Sequence, residues 1–77
     1  AVAEPADGAL VRGEMIAVRG ETESKTRITI NNYELYSDES GAFDIELPFA
    51  KGFNTIEVRV KNRVGREARV VRHIVVE

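Results

Sequence analysis

Ala42-Phe43-Asp44-Ile45-Glu46-Leu47-Pro48-Phe49 sets an apolar side chain at every second position. Phe43, Ile45, Leu47 and Phe49 share one parity, and the carboxylates Asp44 and Glu46 share the other. Successive side chains of a strand point to opposite faces, so this stretch reads as a strand with one buried and one wet face. The same alternation recurs on either side of it. Ile56, Val58 and Val60 alternate with Glu57, Arg59 and Lys61; Ile28 and Ile30 flank Thr29; Ile16 and Val18 face away from Met15, Ala17 and Arg19. No window carries a sustained helical period, and β-branched residues dominate the runs. Several short strands at short spacing predict a small all-β sandwich or barrel.

The breaks between the runs carry turn chemistry. Val2-Ala3-Glu4 ahead of Pro5 reads as an edge strand or linker over residues 1–8, because proline has no N–H to give a ladder; residues 9–77 form the body. Gly20, inside the Glu14–Thr22 strand, marks a bulge or a close backbone approach. Asn31-Asn32 is a tight turn into Tyr33–Tyr36, and Asn62–Gly65 is a second hairpin turn. Ser37–Gly41 is a loop whose glycine takes a left-handed conformation. The last strand, Glu67 to Val76, is less tidy. Val70, Ile74 and Val76 share a parity interrupted by Arg72, while Val71 and Val75 make the opposite face apolar as well. Either a bulge shifts its register or both its faces are covered.

Size and charge remove several classes of function. Seventy-seven residues make one domain that hides little of its surface and is modestly stable or leans on neighbours. With 11 basic and 13 acidic side chains interspersed, no face is uniformly basic, so nucleic acid is not the expected partner. The run Arg63, Arg66, Arg69 and Arg72 is the one local excess, read as surface charge or a contact to a neighbouring domain. No apolar stretch is long enough for a membrane-spanning helix. The absence of cysteine excludes a disulfide framework and a thiolate metal site. The start at Ala1 and the lack of a signal peptide lead us to expect a fragment of a larger protein.

Residues able to do chemistry are few. His73 is the only histidine, so a nitrogen ligand set is not expected, and it reads as a strand-surface imidazole. Ser24, Ser37 and Ser40 lie in turns, where serine bonds its local backbone rather than acting as a nucleophile. Asp38 and Glu39, with Asp44 nearby, could offer oxygen to calcium, but the spacing fits no EF-hand loop. Tyr33 and Tyr36 near Phe53 could form a sugar-stacking platform, although core or partial burial is the expected use of such scarce aromatics. No catalytic residue, metal site or cofactor is assigned.

The ordered set of motifs carries a resemblance. Pro5 and Gly8 precede Ile16-Ala17-Val18-Arg19-Gly20-Glu21-Thr22, followed by Ile28-Thr29-Ile30-Asn31-Asn32, Ser40-Gly41-Ala42-Phe43 and Gly52-Phe53-Asn54-Thr55-Ile56-Glu57-Val58. This resembles the bacterial immunoglobulin-like modules typified by domain B of glucodextranase, over nearly the whole chain. Asn32 stands where that family usually has glycine, and Asn62-Arg63-Val64-Gly65-Arg66 replaces its Asp-x-x-Gly-Asn turn. The resemblance implies an immunoglobulin-like antiparallel β-sandwich of about seven short strands. It also implies a non-catalytic spacer or interaction module of a secreted, periplasmic or cell-surface bacterial protein. Its partners would be neighbouring domains of the parent chain, packed on the C-terminal strand, or a protein or polysaccharide. The alternative is a carbohydrate-binding or adhesion module that uses exposed aromatics or a strand edge.

Overall fold

A computed structural model describes residues 2–62 and 64–77. The eight strands are β1 (Val2–Glu4), β2 (Ala9–Val11), β3 (Met15–Glu21), β4 (Arg27–Ile30), β5 (Tyr33–Tyr36), β6 (Ala42–Pro48), β7 (Gly52–Lys61) and β8 (Glu67–Val76). They form two packed sheets, one ordered β1-β3-β6 and the other β2-β8-β7-β4-β5. With β3 and β6 on one sheet and β8-β7-β4 on the other, this is the strand order of an immunoglobulin-like sandwich. The extra strand arises because the chain's first segment is split. Pro5, in a cis peptide, breaks it into β1 on one sheet and β2 on the other. Of the two readings for the start of the chain, Val2–Glu4 takes the edge strand, as β1 pairs with β3 at the margin of the three-stranded sheet. One pairing is parallel rather than antiparallel, β2 with β8.

The core lies between the sheets and is built from the alternating parities. Ile16 and Val18 of β3, Ile28 and Ile30 of β4, Phe43 of β6, Ile56 and Val58 of β7, and Ile74 and Val76 of β8 are all buried. Ile45, Leu47 and Phe49 share the inward parity of Phe43 but are only half-buried. Gly20 is buried directly across from Phe43, and the register irregularity expected near it falls on β1, between Val2 and Glu4.

β8 resolves the ambiguity of its sequence in a third way. Ten successive residues pair with β7 without a shift, so there is no bulge between these two strands. Val70, Arg72, Ile74 and Val76 point inward, and the opposite face carries half-buried Val71 with exposed His73 and Val75. Arg72 is tolerated on the inward parity because its stem lies half-buried while its Nη2 donates to the Val2 carbonyl oxygen at 3.5 Å. That bond links the two sheets at the side where β1 approaches β8.

The turns follow their residues with one change. In the Asn31-Asn32 turn the left-handed residue is Asn31 (φ 53°), not Asn32, so Asn32 carries no left-handed strain. Asn31 is fixed to β7, with its Oδ1 accepting from the Glu57 N–H at 3.0 Å and its own N–H donating to the Glu57 carbonyl at 2.9 Å. Gly41 (φ 87°) has a second reason to be glycine, since a Cβ there would sit 2.0 Å from the Thr22 carbonyl oxygen.

Candidate functional site

The outer face of the five-stranded sheet carries exposed side chains at both ends, and its two ends differ. At one end Leu10, Val75 and Phe53 lie side by side across β2, β8 and β7 and are 65%, 40% and 70% exposed. His73 stacks on Phe53 with ring centroids 5.7 Å apart and planes 22° apart. Asp7 holds the His73 segment in place: its Oδ1 accepts from the His73 backbone N–H at 2.7 Å and lies 3.1 Å from Nδ1. Those contacts, the backbone bond first, keep the Asp7 carboxyl below its ordinary range. No spacing in the sequence announces this group, because Asp7 and His73 stand 66 residues apart.

At the other end the face is charged and internally paired. Arg59 Nε lies 2.6 Å from Glu57, Arg69 Nε lies 3.2 Å from the same carboxylate, and Arg27 is paired with Glu34. A recess of about 420 Å3 opens here between Arg27, Thr29, Asn31, Arg59, Lys61 and Glu67. Its charges mostly neutralise one another, so it offers hydrogen-bonding groups rather than a strong field. Among the described residues the basic run does not form a patch. Arg69 is paired on the outer face, Arg72 points inward, Arg66 lies at the hairpin, and Arg63 is outside the described residues.

Tyr33, Tyr36 and Phe53 are all exposed, at 48%, 66% and 70%, so the expected core or partial burial is not met. They also do not assemble into one platform. Tyr33 pairs with inward Ile30 and Tyr36 with outward Arg27, which places the two tyrosines on opposite faces of β5. Tyr36 stands near the Lys61 end of the sheet, and Phe53 is at the far end of the same β7 strand. Tyr36 and Phe53 are exposed because they lie on the outer face, whereas Tyr33 shares the inward parity and is exposed because β5 has a neighbour on one side only.

The other candidates serve the backbone. Asp38 Oδ1 accepts from the Ser40 hydroxyl at 2.7 Å and from the Ser40 and Ala42 N–H groups at 2.9 Å each, and these bonds hold its carboxyl below the ordinary range. Asp44 pairs with Arg19 at 3.1 Å. Ser37 is buried, accepting from the Thr26 N–H at 2.8 Å and donating to the Glu23 carbonyl at 2.7 Å. Among the described residues, no three His, Asp or Glu side chains gather as a metal set.

No protein-family model matches the chain, and no curated protein does. Among solved structures it is similar to part of a carbohydrate acetylesterase from Xanthomonas citri, with a TM-score of 0.60 and 24% identity. The match covers 92% of this chain and 17% of the acetylesterase chain. The likeness supports the fold class, a small all-β sandwich of two packed sheets, and the chain spans only a minor part of the length of the protein it matches.

Proposed function

We propose that this chain is a non-catalytic structural or interaction module of a larger bacterial secreted, periplasmic or cell-surface protein, acting as a spacer between neighbouring domains. The observation that supports this most is how the chain enters and leaves. β1 begins beside Gly20, toward one end of the three-stranded sheet, whereas β8 finishes at the opposite end, where the Glu77 N–H donates to the Val11 carbonyl at 2.9 Å. In a body of 39 × 19 × 18 Å with strands along its length, such a path sets successive domains end to end. The apolar row Leu10–Val75–Phe53 lies at the exit end, where a following domain would pack.

The test is small-angle scattering on a tandem of two copies joined Glu77 to Ala1. An elongated particle with a maximum dimension near twice the 39 Å module length supports the spacer. A compact pair folded side by side rejects it. A second reading, carbohydrate binding, draws on the exposed Phe53–His73 stack and on the likeness to part of a carbohydrate acetylesterase. Titration of the labelled domain with glucans, peptidoglycan fragments and calcium, followed by proton–nitrogen NMR, separates the two. Localised shifts around Phe53, Tyr33 or Tyr36 favour binding, and an indifferent spectrum favours the spacer.

A further inference from the structure

The three-stranded sheet stops at β6, and the free edge of that strand is chemically specific. The residues of β6 that bond to β3 are identified by the two bonds that continue the ladder beyond its ends, Thr22 N–H to the Gly41 carbonyl and Phe49 N–H to the Glu14 carbonyl. Hydrogen-bonded pairs alternate along an antiparallel ladder, so Phe43, Ile45 and Leu47 spend their backbone groups on β3. Ala42, Asp44, Glu46 and Pro48 direct theirs away from the sheet. Ala42 is sealed by the loop, its carbonyl accepting from the Asp38 N–H at 2.9 Å and its N–H donating to Asp38 Oδ1 at 2.9 Å. Pro48 has no N–H. What remains open is the N–H and C=O of Asp44 and of Glu46 and the C=O of Pro48, with no partner among the described residues.

The flank beside this edge is also incomplete. Ile45, Leu47 and Phe49 point toward the core yet stay half-buried, and so does Leu35 of β5. A notch of about 320 Å3 lies between the two sheets here, lined by Ile30, Tyr33, Leu47, Pro48 and Phe49. A strand laid along β6 would send every second side chain into this flank and the others out beside Asp44 and Glu46.

We propose that this edge receives an extended segment of a partner protein in which apolar and basic residues alternate, added as a fourth strand to the β1-β3-β6 sheet; the assignment rests on the interaction half of the reading above. The apolar residues cover Ile45 and Leu47, and the basic ones meet Glu46 first and then Asp44, whose carboxylate also holds Arg19 at 3.1 Å. A second copy pairing antiparallel through its own β6 is the wrong occupant. Any antiparallel β6-to-β6 pairing that uses the open backbone groups sets carboxylate against carboxylate, whether Asp44 on Asp44, Glu46 on Glu46 or one on the other, and like charges directly opposite are unfavourable.

The probe is the acetylated, amidated peptide Lys-Val-Lys-Val-Lys-Val-Lys, with its Glu-Val counterpart as control, added to labelled protein. The amides of Asp44 and Glu46 are expected to shift and to exchange at least about tenfold more slowly at saturating basic peptide, and not with the acidic one. Glu46→Pro removes a donor that the fold does not use, so it should abolish this response while the rest of the spectrum stays native. Glu46→Lys should weaken the basic peptide and strengthen the acidic one, each roughly two- to fivefold. Equal response to both peptides, no response to either at millimolar concentration, or indifference to Glu46→Pro overturns the proposal. Protection that rises with protein concentration alone overturns it in favour of self-pairing, and protection only in the two-copy tandem assigns the edge to a neighbouring module instead. None of these failures affects the spacer reading, which stands or falls on the shape of the tandem.

Discussion

β6 and β8 invert the order that their sequences lead one to expect. β6 alternates cleanly, yet beyond Phe43 its inward residues are half-buried. β8 is apolar on both parities and interrupted by Arg72, yet Ile74 is fully buried and Val76 nearly so. The difference lies in neighbours. β8 runs between β2 and β7, so strands on both sides help to close the space around its inward row. β6 is an edge, and its inward row opens onto an unfilled flank. Alternation therefore reports which way a side chain points, while the number of flanking strands decides how much water is removed from it.

Substitutions can break or sharpen this contrast. The largest effect is expected for Phe43→Ala, about 3–5 kcal/mol, because the ring is buried opposite Gly20, where no side chain can move in to fill the space. Denaturant unfolding checks it, and a midpoint close to wild type would show that Phe43 is not a core residue. Ile74→Ala on the central strand should follow at about 2–5 kcal/mol. Leu47→Ala, on the edge strand at the same inward parity, should cost only about 1–2 kcal/mol, because part of its surface is already in water. If Leu47→Ala proved as costly as Ile74→Ala, the flank would be closed in solution and the contrast between edge and centre would fail.

The smallest effect concerns acid. Asp38, held low first by the Ser40 hydroxyl and then by the Ala42 N–H, anchors the loop leading into β6. Asp7, held low first by the His73 backbone N–H and then by its side chain, anchors β8. A depressed carboxyl contributes stability that is complete above its unfolded value, here the ordinary 3.8, and is lost as pH falls through the folded value. Melting temperature should therefore drop below pH 3.8 in the wild type. Asp38→Asn keeps an acceptor oxygen but removes the titration, so its acid limb should be shallower. Equal acid limbs in the two proteins would show that the loop carboxylate does not contribute.

Much of the fold was legible in the residues. The buried set Ile16, Val18, Ile28, Ile30, Phe43, Ile56 and Val58 follows from period-two alternation, and the turns at Asn31, Gly41, Asn62 and Gly65 follow from residues that tolerate positive φ or cap their own backbone. The candidate site was far less legible. Tyr33 and Tyr36 sit three residues apart, an odd separation that already sets them on opposite faces of a strand, so their platform fails on parity alone. Phe53 lies remote from Tyr36 for a reason the sequence does not contain, because β5 reaches β7 only through β4 and at its opposite end.

By itself the sequence determined the strand faces, the turns and an all-β core, since these depend on interactions within a few residues of one another. Tertiary structure alone decided which strands lie at edges, that Arg72 reaches the Val2 carbonyl instead of breaking a strand, and that Asp7, His73 and Phe53 share one surface. Those outcomes depend on which strands become neighbours, and strand neighbourhood is set by packing two sheets around one core rather than by any local pattern.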